Sequence, residues 1–134
     1  MNKEIILKQL KEYSQRRKVQ PVLKNQIERL KKRAVLRQSE GAQESERQTE
    51  ERMRSIKRLE EAYRFNRRQQ KSMDICLSTL EYREKTVLWY FYIDRPSDYI
   101  DRLADELGIE RSQIYRVKDR ALKNLGKVYF GLSR

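Results

Sequence analysis

Apolar residues in the N-terminal half of the chain recur at helical spacing and form narrow stripes. These stripes predict three amphipathic helices, over residues 3–17, about 22–37 and about 49–71. Pro21 is expected to separate the first two, because proline suits the first turn of a helix better than its interior. The stripe residues are Ile6, Leu10 and Tyr13 in the first helix, Leu23, Ile27, Leu30 and Ala34 in the second, and Met53, Ile56, Leu59 and Tyr63 in the third.

The segment between the second and third predicted helices, residues 38–48, has no apolar period and contains Gly41. We predict a mobile linker there. The three stripes are thin and do not suggest a shared bulky core. Residues 1–72 are therefore expected to form extended or coiled-coil-like helices. Such helices bury their stripes against another chain, which predicts a homodimer or a higher oligomer.

Residues 73–134 have a different pattern, with dense apolar positions and most of the aromatic residues. Six of the eight tyrosines and the single tryptophan lie in this part, which predicts a separate helical domain with its own core. Trp89, Phe91 and Tyr92 fall in one predicted helix over 82–92. Core packing is favoured for them over a role as stacking platforms for single-stranded nucleic acid.

Two helices joined by a glycine turn are predicted within residues 100–125. Ala104 is small enough for a close helix crossing, and Gly108 suits the left-handed backbone that ends a helix. Ile114 and Val117 would anchor the second helix, as in a helix-turn-helix. The predicted fold is all-α, with the N-terminal helices followed by a C-terminal helix-turn-helix domain. The predicted DNA-binding residues are Arg111, Ser112, Gln113, Tyr115, Arg116, Arg120 and Lys123, and Lys118 belongs to the same outward set.

The charge is strongly positive and unevenly distributed along the chain. Lys and Arg total 32 against 20 Asp and Glu, a net charge of +12 in 134 residues. Residues 1–72 hold 21 basic and 10 acidic residues, residues 73–110 hold 4 and 9, and residues 111–134 hold 7 and 1. Two basic blocks around an acidic one favour nucleic-acid binding. A nucleic-acid-binding protein needs positive charge on the surface that contacts phosphates but not on the part that supports this surface. Double-stranded DNA is the predicted partner.

The composition argues against an enzyme and against a metal site. Histidine is absent, which removes the commonest general base and metal ligand at neutral pH. No glycine-rich phosphate loop or paired-carboxylate motif is recognisable, and no cofactor is expected. Cys76 is the single cysteine and is predicted to be a buried structural thiol. No apolar run approaches the roughly 20 residues that span a bilayer, and the first twenty residues are charged throughout. We expect a cytoplasmic protein with no membrane partner.

Some charged positions leave alternatives open. The basic clusters Arg16-Arg17-Lys18 and Lys31-Lys32-Arg33 fit phosphate clamps and solvated helix faces about equally well. Asp119 lies among the outward bases of the second helix. It either marks the edge of the DNA-binding face or accepts a hydrogen bond from a cytosine amine, and the edge is favoured.

Three stretches of the C-terminal half resemble region 4 of bacterial sigma factors: Leu80-Glu-Tyr-Arg-Glu-Lys-Thr-Val-Leu88, Leu103-Ala-Asp-Glu-Leu-Gly-Ile109 and Ile114-Tyr-Arg-Val-Lys-Asp-Arg-Ala-Leu122. The resemblance covers about residues 80–125 and implies that the second helix reads a promoter element. By position, Arg111, Ser112 and Arg116 would read bases and hold phosphates. The family usually has Glu in place of Ser112 and Gln in place of Arg116, so a different sequence is expected to be read. No counterpart of sigma region 2 is visible, and a complete sigma factor is not expected.

A basic helical N-terminus before such a C-terminus is also similar to phage-encoded late-gene regulators of the RinA/ArpU type. This similarity implies a sequence-specific transcriptional regulator that activates phage late genes with host RNA polymerase, in the cytoplasm of the host cell. Two other functions fit the sequence. A DNA-packaging adaptor resembling a small terminase subunit also joins a helix-turn-helix to oligomerising helices. A purely structural protein would carry its basic surface incidentally.

Overall fold

Five α-helices make up the computed structural model, which describes residues 2–39 and 45–132. No β-strand occurs within these ranges, and the predicted all-α class is confirmed. None of the described helices is both long enough and apolar enough to cross a membrane. The helices are α1 (Asn2–Ser39), α2 (Glu46–Ser78), α3 (Tyr82–Leu88), α4 (Tyr99–Leu107) and α5 (Arg111–Leu132), and a π-helical turn (Trp89–Ile93) directly continues α3.

The first helix runs through Pro21 without interruption. One helix of 38 residues replaces the two that were predicted on either side of this proline, so the predicted break is wrong. Proline inside a helix removes one hydrogen bond and costs about 3 kcal/mol. Packing offsets this cost, because one continuous helix keeps Tyr13, Gln20 and Ile27 on one face at seven-residue spacing. All three side chains are buried or half-buried.

The start of α2 is defined by a capping box that the apolar pattern alone does not reveal. The N–H of Gln48 donates to Oγ of Ser45 at 3.2 Å, and the N–H of Ser45 donates to Oε1 of Gln48 at 3.3 Å. These reciprocal bonds satisfy two donors at the helix terminus. The helix therefore begins at Glu46, earlier than predicted.

The predicted linker and the predicted domain boundary both differ from the structure. Within 38–48, residues 38–39 belong to α1 and residues 46–48 to α2, whereas residues 40–44 lie outside the described residues. At its other end, α2 continues to Ser78, so the boundary expected after residue 72 falls inside a helix.

The chain forms two compact units, and α1 and α2 contribute to both. The first, called here the core unit, comprises Met1–Gln15 and Gln70–Arg134. The second, called here the hairpin unit, comprises Arg16–Gln69. The predicted division at residue 72 therefore differs from this one, because the first fifteen residues belong with the C-terminal helices.

Burial of the first apolar stripe explains this grouping. Ile6, Leu10 and Tyr13 are exposed by only 1%, 0% and 3% and belong to one cluster with buried residues of α2 and α5. Burying three side chains of this size stabilises the core unit by roughly 5–9 kcal/mol at about 1.5–3 kcal/mol each. The stripe was predicted to contact another chain. That assignment is wrong, because the stripe is already buried within its own chain.

Hydrogen bonds also hold the start of α1 in the core unit. The Tyr13 hydroxyl donates to Oδ1 of Asp74, and the Ser14 hydroxyl donates to the Ile93 carbonyl oxygen at 2.8 Å. Cys76 lies in the same cluster at 1% exposure, which confirms the predicted buried thiol. Burial raises the pKa of this thiol and so disfavours the reactive thiolate.

A second apolar cluster joins α3, α4 and α5. The π-helical turn carries Phe91 into it, and the Asp94 N–H closes that turn by donating to the Trp89 carbonyl oxygen at 2.9 Å. Phe91 is buried, while Trp89 and Tyr92 are half-buried, so the predicted core packing of these rings is confirmed. The buried members of the cluster are Val87, Phe91, Leu103, Leu107, Ile114 and Val117.

The hairpin unit has only a thin apolar seam. Of its described residues, Ile27 and Asn66 alone are buried. Nδ2 of Asn66 donates to the Arg16 carbonyl oxygen at 2.9 Å, and Nζ of Lys31 lies 3.8 Å from Oε2 of Glu60. These contacts join the two helical segments of the unit in antiparallel fashion.

Most predicted stripe residues of the hairpin unit are half-buried along this seam. Met53 is the exception at 64% exposure, so its predicted place in the stripe is wrong. The half-buried stripe residues are Leu23, Leu30, Ala34, Ile56, Leu59 and Tyr63.

Candidate functional site

The turn between α4 and α5 depends on Gly108. Its backbone has φ 63° and ψ 38°, the left-handed conformation that glycine adopts at low cost. The N–H of Ile109 donates to the Ala104 carbonyl oxygen at 3.2 Å and closes the end of α4. A Cβ at position 108 would meet no atom within 4 Å, so backbone conformation rather than space favours glycine here. The predicted glycine turn is therefore present.

Half of a capping box starts α5. The N–H of Gln113 donates to the Glu110 carbonyl oxygen at 3.0 Å, and the Glu110 N–H donates to Oε1 of Gln113 at 3.3 Å. The second bond is the return contact of a capping box. Gln113 was predicted to contact DNA, but its amide oxygen is engaged at the helix terminus. Its NH₂ group is the part of the amide that can still donate.

The first half of α5 has one buried face and one exposed face. Ile114 and Val117 are buried together with Leu103 of α4. With 3.6 residues per turn, side chains on the other side of α5 point away from this cluster. The exposed residues of that side are Ser112, Arg116, Asp119, Arg120 and Lys123.

Arg116 and Arg120 line a shallow groove together with Arg83 of α3. The groove measures about 220 Å³, and its walls include Ile109 and Val117. Three guanidinium groups around one groove create a positive potential that attracts anions. Arg83 was not predicted as a site residue, because only the packing of α3 against α5 brings it there. The sequence itself contains no local signal for this proximity.

Arg120 also contacts a buried carboxylate. Its Nε lies 3.5 Å from Oε1 of Glu84, whose side chain is 4% exposed. Nδ2 of Asn124 donates to the two carboxylate oxygens at 3.3 and 3.0 Å. A buried carboxylate needs such partners to offset its lost hydration. Part of the role of Arg120 is therefore to stabilise the contact between α3 and α5.

Three other predicted outward residues are engaged within the core unit. Arg111 forms an ion pair with Asp101 of α4. The Tyr115 ring meets Phe91 edge-on, with ring centroids 5.9 Å apart, although Tyr115 remains 47% exposed. The Lys118 side chain is only 19% exposed, and its Nζ lies 5.4 Å from the Phe91 centroid. The outward placement of Lys118 is wrong, because its side chain packs over the ring cluster.

Lys123 borders a second groove, formed by the first turns of α1 and the second half of α5. This groove measures about 660 Å³ and has an apolar floor beneath several lysines. At its edge, Oδ1 of Asp119 lies 3.6 Å from Nζ of Lys118 and 4.0 Å from Nζ of Lys3. Asp119 therefore pairs with lysines of its own chain, and its predicted place at the edge of a DNA-binding face stays a prediction. The lining residues are Lys3, Ile6, Asp119, Leu122, Lys123, Gly126, Lys127, Phe130 and Gly131.

Glu106 of α4 accepts hydrogen bonds from Tyr82, in the first turn of α3, and from Tyr90, in the π-helical turn. The Tyr82 hydroxyl donates to Oε1 of Glu106 at 2.9 Å, and the Tyr90 hydroxyl donates to Oε2 at 2.6 Å. These bonds favour the carboxylate and lower the pKa of Glu106, while the bond to Glu106 raises the pKa of Tyr90. Because Arg83 follows Tyr82 directly, this contact helps to position Arg83 beside α5.

Comparison of the chain with protein-family models, with curated proteins and with solved structures gave no match. Within the described ranges, no cluster of three acidic or cysteine side chains is arranged to hold a metal ion. The geometry and charge of the α4–α5 region and the resemblance of residues 80–125 are therefore the features that indicate a function.

Proposed function

We propose that the chain binds double-stranded DNA in a sequence-specific manner and reads bases with the first half of α5. The observation that carries this proposal is the two-sided character of that helix. Ile114 and Val117 hold one side in the core, while Ser112 and Arg116 are exposed one turn apart on the other. A helix held in this way across a short turn can enter a major groove about 12 Å wide.

The exposed residues have different roles in this proposal. Arg116 donates to a guanine edge, the commonest specific contact between proteins and DNA. Arg83 and Arg120, which share the groove with Arg116, contact backbone phosphates and set the register of the helix. Ser112 contacts a base or a phosphate near the start of α5. Arg111 exchanges its ion pair with Asp101 for a phosphate on binding.

The resemblance of residues 80–125 to sigma region 4 supports a role in transcription. In this proposal the chain is a regulator that activates phage late genes with host RNA polymerase. Self-association would place two copies of α5 on neighbouring half-sites. With the first apolar stripe buried in the core unit, the surface for self-association would lie elsewhere on the chain.

Selection of bound duplexes from a random pool tests the proposal. We expect one recurrent motif, whose symmetry would report a dimer. Arg116→Ala should weaken binding to that motif about fivefold to 160-fold more than binding to scrambled DNA, as follows from roughly 1–3 kcal/mol of discrimination.

Arg83→Ala is the matched control, since Arg83 lines the same groove on a different helix. It should weaken binding to the motif and to scrambled DNA alike, because a phosphate contact has no base preference. If Arg116→Ala also reduces both affinities equally, α5 does not read the sequence and the proposal is wrong.

A further inference from the structure

The positive charge of the protein is concentrated in the hairpin unit. Residues 16–69 hold 17 basic and 8 acidic residues, a net charge of +9, whereas the rest of the chain holds 15 and 12, a net charge of +3. Repulsion among like charges opposes folding, and this unit has only a thin apolar seam to counter it. A polyanionic ligand would relieve that repulsion.

One flank of the hairpin unit carries a row of arginines, called here the arginine face. Arg29, Arg33 and Arg37 follow each other at four-residue spacing along α1, about 6 Å apart along the helix axis. Arg29 and Arg33 line a groove beside Leu59 of α2, and Arg33 and Arg37 line another beside Arg52. Because Arg33 borders both grooves, the arginine face is one continuous surface across the two helices.

Among the described residues that line these two grooves, only Glu51 is acidic. Glu51 borders the groove of Arg33, but Oε1 of Glu51 lies 3.3 Å from Nε of Arg47. Arg29 and Arg33 are exposed, and neither forms an ion pair within the described part of the chain. Their guanidinium groups are therefore able to bind an external anion.

We infer that the arginine face binds the phosphates of duplex DNA without base preference, as a contact surface additional to α5. This inference rests on the proposed function in that both take duplex DNA as the ligand. Arginine suits the role because its planar group donates two parallel hydrogen bonds to a phosphate. A duplex carries one charge per 1.7 Å of axis, twice the density of a single strand, and its regular backbone matches a straight row of donors.

The test compares two double variants of the full chain. Arg29→Gln/Arg33→Gln removes two charges from the arginine face. Arg64→Gln/Arg68→Gln removes two charges from the side of α2 opposite the buried Asn66, and these arginines are also exposed and four residues apart. Glutamine has a helix propensity close to that of arginine, and thermal melts verify that both variants are folded.

Affinity for a random-sequence duplex is measured between 50 and 200 mM salt. Removing two phosphate contacts should reduce the slope of log affinity against log salt by about 1.8 for Arg29→Gln/Arg33→Gln. The Arg64→Gln/Arg68→Gln variant should change the slope by less than half of that. Equal reductions would show a diffuse charge effect and overturn the arginine face, and so would an unchanged slope in both variants. Binding of a single strand of equal length as tightly as the duplex would also overturn it.

The same measurements separate this inference from the proposed function. The arginine-face variant should keep the ratio of affinities for the selected motif and for scrambled DNA, since it removes no base contact. If Arg116→Ala leaves that ratio unchanged while the arginine-face variant reduces the slope, the reading by α5 fails and the arginine face stands. If Arg116→Ala lowers that ratio while the arginine-face variant leaves the slope unchanged, the proposed reading by α5 stands and the arginine face is overturned.

Discussion

The core unit and the hairpin unit are both built from α-helices, but they differ in apolar burial and in net charge. Every buried hydrophobic side chain among the described residues lies in the core unit, apart from Ile27. The hairpin unit instead holds three quarters of the net charge, +9 of +12. One unit is thus organised by apolar burial and the other by the placement of charge on long helices.

This difference indicates what each unit can do. Buried Ile114 and Val117 hold Arg116 of α5 at a defined position, and only a defined position can discriminate between base edges. A thin seam with exposed arginines offers attraction over a long surface, which suits phosphates that repeat along any sequence. Under the proposed function, sequence reading is expected from the core unit and general affinity from the hairpin unit.

The largest expected effect is that of truncating a core side chain. Leu10→Ala should reduce the free energy of unfolding by about 2–5 kcal/mol, because Leu10 is 0% exposed within the larger apolar cluster. Ile27→Ala is the counterpart in the hairpin unit, where the side chain borders solvent at 9% exposure. It should cost about 2 kcal/mol or less. Urea unfolding followed by circular dichroism measures both, and equal costs would contradict the contrast between the two units.

A smaller effect of opposite sign is expected at Pro21. Pro21→Ala should restore a helical hydrogen bond in α1 and raise the free energy of unfolding by about 2 kcal/mol, after roughly 1 kcal/mol is lost to a more flexible unfolded chain. Pro96→Ala is the matched control, since Pro96 lies between helices. It should be neutral or slightly destabilising. If Pro21→Ala is no more stable than the natural chain, Pro21 does not destabilise α1.

The smallest effect concerns the carboxylate that ties α3 to α4. Tyr90→Phe removes the stronger of two hydrogen bonds to Glu106, so the pKa of Glu106 should rise towards its ordinary value. The lowered pKa stabilises the fold above the ordinary carboxyl pKa, and this contribution disappears as pH falls through the folded value. The variant should therefore be less stable than the natural chain near neutral pH. It should be equally stable at a pH below both the folded pKa of Glu106 and the ordinary carboxyl pKa.

Carboxyl chemical shifts across an acid titration measure this change directly. Tyr82→Phe should shift the pKa of Glu106 in the same direction by a smaller amount, because its bond is longer. A Glu106 titration that is the same in Tyr90→Phe as in the natural chain would contradict the contact.

Two patterns in the sequence of α1 and α2 indicate the observed helix boundaries. The seven-residue recurrence of Tyr13, Gln20 and Ile27 passes through Pro21 and indicates one helix. Likewise, Ser45 and Gln48 have the spacing of a capping box. Pro21 and the composition of residues 38–48 indicate different boundaries. The break predicted at Pro21 is wrong because a local cost of about 3 kcal/mol is smaller than the gain from a continuous packed face.

Several features follow from the sequence alone: the all-α class, the glycine turn at Gly108, the buried Cys76 and the exposure of Ser112, Arg116, Arg120 and Lys123 on α5. Each of these depends on local chemistry or on helical spacing, and both can be read directly from neighbouring residues. Only the folded structure shows that Ile6, Leu10 and Tyr13 pack within their own chain. It also shows that Arg83 joins Arg116 in one groove. An apolar stripe predicts that its residues are buried but does not specify which surface buries them. Hydrophobic attraction is non-directional, so the same stripe could pack against any apolar surface.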